Sequence, residues 1–181
     1  MIEPESKPDP FMATTFEFYK DIEDVEEPVM LEPDWYNVVL AKEPKLAMNS
    51  TLKGMVSERP TEEEIAEAMK INEKAGYNLV LSLKTEHPDP QKSGMDFTIW
   101  LGWPSLEDEN RYSRGQKVSD AKMTRIYLVV EAFGGSIQGN QFALEEGMKA
   151  NVYIDTRTTQ DGNNLENFVD IFNAPIKPYQ E

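Results

Sequence analysis

Hydrophobic and polar residues alternate most cleanly in two stretches near the middle of the chain. In "YNLVLSLKTE", residues 77–86, a strand sends Tyr77, Leu79, Leu81 and Leu83 to one face. Asn78, Val80, Ser82 and Lys84 take the other. In "MDFTIWLGW", residues 95–103, Phe97, Ile99, Leu101 and Trp103 point inward, while Asp96, Thr98 and Trp100 point outward. The turn-forming "HPDPQKSG" joins the two. "WYNVVLAK", Trp35 to Lys42, is an earlier strand rich in β-formers. "KANVYIDT" and "LENFVDIF" form a last pair around "TTQDGNN", whose Asp-Gly is a hairpin signal.

Two segments carry the helical period instead. "TEEEIAEAMKINEKAGY" predicts a helix over 61–75, with Thr61 as cap, Glu64 completing a capping box and Gly76 as stop. Its narrow apolar stripe, Ile65, Ala68 and Met69, places it on the surface. "SDAKMTRIYLVVEAFGG" spaces Met123, Ile126, Tyr127 and Val130 as a helix ending at Gly134-Gly135, with a strand over "RIYLVV" as the competing reading. Gly139 reads as a turn residue.

The order is β, inserted helix, β, β, α, β, β. Without the insert it is that of an OB-fold, so the fold class expected is α+β, mainly β. The expectation is a five-stranded OB-like barrel, with a helix between its third and fourth strands and an extra helix between its first and second. The domain spans 34–173, after an extended acidic arm (1–33) in which "FEFYKDIEDVEE" offers aromatics for docking, and before a tail (174–181).

Charge adds a constraint. The 181 residues carry a formal net charge of −15, which argues against duplex binding over the whole surface. The acidity is uneven: residues 1–70 hold 17 acidic and 7 basic residues, and residues 71–181 hold 16 and 11. With no cysteine there are no disulfides, thiolate metal sites or Cys nucleophiles. The N-terminus has neither the basic nor the apolar region of a signal peptide, and no apolar run is long enough to span a membrane. A cytoplasmic protein is expected, in the host cytoplasm if viral.

Three outward aromatics, Trp100, Tyr153 and Phe168, predict a stacking platform, with Lys84 beside Trp100. Stacking suits single strands, because every base has a π-face. Coverage of these rings by a tail or another subunit is the competing reading. Arg111, Arg114, Lys117, Lys122 and Arg125, interrupted by one acid, Asp120, are candidate phosphate contacts or an ordinary solvated loop and helix start.

Catalytic signals are weak. His87 is the single histidine, placed before Pro88 in a loop, so no two-histidine metal site can form. The glycines do not make a Walker pattern. Glu107, Asp108 and Glu109 are adjacent in a loop, without the fixed geometry a two-metal nuclease site needs. No enzyme, cofactor or metal is expected.

"PDWYNVVLAKEPKL", "YNLVLSLKTE", "LVVEAFGGS" and "EEGMKANVYIDT…DGNNLENFVDIF" together resemble a phage-encoded family of small OB-type proteins, over roughly residues 30–173. Gly147 and Asn167 match its recurrent positions, which are structural. The long acidic N-terminus and the helix at 61–75 depart from its pattern. The resemblance implies single-stranded DNA binding without catalysis, in replication or recombination. It makes replication or recombination proteins candidate partners of the acidic arm, and a homo-oligomer fits as well. Two other classes remain: a viral structural or adaptor protein using the same surface for subunit contacts, and an acidic regulator that imitates DNA.

Overall fold

The structure, a computed structural model, describes residues 14–181; the first part of the acidic arm, residues 1–13, lies outside them. The main strands are β1 (Asp34–Leu40), β3 (Tyr77–Glu86), β4 (Asp96–Gly102), β9 (Lys149–Thr158) and β10 (Leu165–Val169). They lie side by side, antiparallel, in the order β4-β3-β1-β9-β10. Short β2 (Lys45–Met48) pairs with β3 beyond the end of β1, and β11 (Lys177–Pro178) pairs with β9 beyond the end of β10. The result is a mixed α+β fold built on a seven-stranded, mostly antiparallel sheet.

The expected five-stranded OB-like barrel is not closed among the described residues, because no ladder joins β4 to β10. β10 runs for only five residues. Its chain then turns at Asp170, whose carboxylate accepts hydrogen bonds from the Phe172 and Asn173 amides at 3.1 and 3.0 Å. Too little strand is left to zip the seam.

The strand registers follow the alternation. Leu79, Leu81 and Leu83 are buried, as are Ile99 and Leu101 of β4 and Ala150, Val152 and Ile154 of β9. Helix α3 (Val118–Ala132), between β4 and β9, seals this core with Ile126, Val129 and Val130. The helical reading of "RIYLVV" therefore holds, because helical spacing puts Ile126, Val129 and Val130 together on the core. Beyond α3 lies a hairpin that the pattern did not announce, β7 (Ser136–Gln138) with β8 (Gln141–Ala143). Gly135 is needed there: a Cβ would stand 2.4 Å from the Ala143 carbonyl oxygen and 2.8 Å from Val130.

The insert differs in detail from its expected form. A first helix, α1 (Ser50–Met55), is capped by Asn49, whose side chain accepts from the Leu52 amide. The second, α2, runs Glu62–Ile71, so the helix expected over 61–75 stops four residues early, at Asn72, and Gly76 is not its stop. Thr61 caps it as expected, at 3.2 Å from the Glu64 amide. The capping box is not completed, because the Glu64 carboxylate is taken by the Ser57 hydroxyl at 3.1 Å.

The arm from residue 14 forms no strand and bends at residues 19–20 before a 3-10 turn at Ile22–Asp24, and its rings do not dock: Phe16, Phe18 and Tyr19 are 89%, 85% and 94% exposed. The Gln91 side-chain amide donates to Glu26 at 3.3 Å, and the chain enters the core at Leu31, whose amide and carbonyl both bond the Asn167 side chain at 2.9 Å. Asn167 thus acts as a structural tie. No helix among the described residues is long and apolar enough to cross a membrane.

Candidate nucleic-acid interface

The outer face of β3 and β4 carries Trp100 opposite Val80, Thr98 opposite Ser82 and Asp96 opposite Lys84. Trp100 is 61% exposed. Its cross-strand neighbour is therefore Val80, and Lys84 stands two pairs further along, 4.0 Å from Asp96 in an exposed and weak ion pair.

Trp100 forms a wall shared by two clefts. The first, about 520 Å³, is bounded by Lys45 and Ala47 of β2, Asn78 and Val80 of β3, and Lys53 of α1. Both lysines are exposed and have no ion-pair partner among the described residues. The second, about 450 Å³, lies along the open seam, with Asp96 to Trp100 on one side and Arg157, Phe168 and Phe172 on the other. The Arg157 guanidinium lies over the Phe168 ring at 4.7 Å and also donates to Glu166 at 2.8 Å. Arg125, from α3, lies over Phe172 at 4.5 Å. Such cation–π contacts hold a ring and leave positive charge beside it.

The other sequence candidates separate into those tied down and those free. Asp108, only 1% exposed, accepts from Lys122 at 2.8 Å and from the Ser105 amide at 3.0 Å, with Arg111 at 3.5 Å. Arg111 also donates to the Met69 carbonyl at 2.9 Å, which pins α2 to this loop. Burial pushes the Asp108 carboxyl up, but Lys122 and the Ser105 groups outweigh it and hold the group below its usual range. Lys117 pairs with Glu109 at 3.2 Å; that hydrogen bond lowers the Glu109 pKa and raises that of Lys117. Arg114 is exposed at the two-residue turn between β5 (Tyr112–Ser113) and β6 (Gln116–Lys117), with φ +52° beside Gly115 at +80°. Those are turn dihedrals of the hairpin type that normally favours Asn-Gly.

Tyr153 is on the outer face as expected but is engaged. Its ring meets Trp35 edge-on at 5.6 Å, and Lys177 of β11 lies over Trp35 at 3.7 Å. The C-terminal segment thus covers this half of the face, with Gln180 bonded to Asn37. Sequence reasoning missed Lys45, Lys53, Arg157 and Phe172. Arg157 and Phe172 were legible as neighbours of the last strand pair, but Lys45 and Lys53 were hidden in what read as a polar connection. Among the described residues no group of histidine and carboxylate side chains could hold a metal ion.

Comparison with known proteins finds no family model that matches the chain and no match among curated proteins.

Proposed function

We propose that the chain is a non-catalytic, single-stranded DNA-binding protein of OB type, encoded by a phage and acting in replication or recombination. The strand order β4-β3-β1-β9-β10, with α3 between β4 and β9, supports the OB reading, with its seam left open. Exposed Trp100 between two clefts carries the functional reading: an unpaired base stacks on its ring, and Lys45 and Lys53 meet phosphate on one side. The acidic arm is the candidate surface for replication or recombination proteins.

The test is a Trp-fluorescence titration with a labelled single strand and with the same sequence as duplex. The single strand is expected to bind more tightly, because stacking needs unpaired bases. Affinity should fall with salt on a shallow slope, since few cations are free. Equal affinity for duplex removes the platform reading. Self-association that shields Trp100 from a soluble quencher favours the structural or adaptor alternative.

A further inference from the structure

The two clefts beside Trp100 differ in chemistry. The first offers lysine ammonium groups and a single ring. The second is walled by two strand edges, β4 and β10, that no ladder satisfies among the described residues. Such edges present rows of main-chain N–H and C=O groups with no partner across the gap. Into the same gap project Trp100, Phe168 and Phe172. Phe168 and Phe172 are not part of the hydrophobic core, and Phe172 is 65% exposed despite the guanidinium over it. Core packing therefore does not explain these rings.

From these features we infer that the seam is a second nucleotide site, an inference that rests on the single-strand reading above. An unpaired base following the one on Trp100 enters the seam and stacks on Phe172. Its edge meets free main-chain donors and acceptors of the strand edges, and Arg125 and Arg157 face the flanking phosphates. Glu166 and Asp96 also line or adjoin the cleft, each in an ion pair. They disfavour a doubly charged terminal phosphate, so the ligand is an internal nucleotide with a singly charged diester. An extended peptide could add to either edge. The guanidinium-capped rings favour a π-faced ligand on an anionic backbone.

The full chain is titrated with labelled oligothymidylate as wild type, Trp100→Ala, Phe172→Ala and Arg157→Ala, with a thermal melt of each. Phe172→Ala should bind about ten-fold more weakly with an unchanged melt, within the range of one lost base–ring contact. Arg157→Ala should weaken binding in the same direction. In the wild type, ultraviolet cross-linking should attach the strand to the peptide containing Phe172. If Trp100→Ala weakens binding while Phe172→Ala and Arg157→Ala bind as wild type, the seam inference fails and the platform stands. If no variant changes affinity, or the wild type does not bind, both fail. A Val-Thr repeat peptide that binds the wild type, is lost in Phe172→Ala and is not displaced by oligothymidylate assigns the seam to a protein partner and overturns the inference.

Discussion

Around Asp108, the cations Arg111, Lys117 and Lys122 are held by carboxylates, whereas around Trp100 the exposed indole ring, Lys45 and Lys53 have no ion-pair or ring partner among the described residues. Both regions stand out in the sequence, one by its charge and the other by its aromatics. In the first, Asp108 and Glu109 precede the basic run and pair with it, so Arg111, Lys117 and Lys122 stabilise a clasp between α2, the loop and α3. In the second, the pleat alone sets the outcome: Trp100 faces outward because Ile99 and Leu101 face inward. A run of cations therefore predicts a phosphate surface only after its nearby acids are subtracted. The outward ring of Trp100 has no such counter-partner among the described residues, whereas Tyr153 and Phe168 are met by Trp35 and Arg157.

Replacing Asp108 tests this contrast most severely. Asp108→Ala leaves Lys122 and Arg111 half-buried without their carboxylate, and should destabilise the fold by about 3–5 kcal/mol in a denaturant melt. The carboxyl is held below its usual 3.8, so its folded pKa lies below its unfolded one. Its stabilisation is then fully present above the unfolded pKa and lost as pH falls through the folded value. The gap between wild type and Asp108→Ala should narrow as pH drops below about 4. An unchanged melt together with tighter DNA binding would break the contrast, because it would mean the cations are available to phosphate.

The two tryptophans sharpen it next. Trp103 packs against the core and meets Phe142 at a 5.9 Å ring separation, so Trp103→Ala should cost about 3 kcal/mol. Trp100→Ala should change stability by no more than about 0.5 kcal/mol. It should instead weaken single-strand binding by roughly 1–3 kcal/mol. Thermal melts and titrations on both proteins decide it. Loss of stability in Trp100→Ala with no effect on binding would turn the ring into a structural one.

How much of this was legible follows from range. Alternation is local, so it fixed the inner faces of β3 and β4 and the outward placement of Trp100, Tyr153 and Phe168. Helical spacing likewise found α3. Whether an outward ring stays free is a long-range matter: Tyr153 is engaged because Trp35 and Lys177, distant in sequence, arrive beside it. β2, α1 and the β7–β8 hairpin are too short for their periodicity to show. The open seam depends on where β10 stops, and the apolar residues Ile171 and Phe172 beyond Asp170 disguised that end as more strand.

The acidic arm should give the smallest effect, and it bears on the free face. Residues 1–27 hold nine acids, Glu3, Glu5, Asp9, Glu17, Asp21, Glu23, Asp24, Glu26 and Glu27, against Lys7 and Lys20. A tethered anionic segment has a high local concentration and competes with phosphate for Lys45, Lys53 and the seam arginines. Deleting residues 1–27 should tighten single-strand binding a few-fold at low salt, and the gain should shrink as salt screens both partners. The deletion spares Leu31 and its two bonds to Asn167, and the described rings it removes, Phe16, Phe18 and Tyr19, are exposed, so the melting temperature should not move. Affinity and melting temperature are measured on the same truncated protein. Weaker binding with an unchanged melt would make the arm part of the binding surface, so that the face around Trp100 would no longer account for the strand by itself.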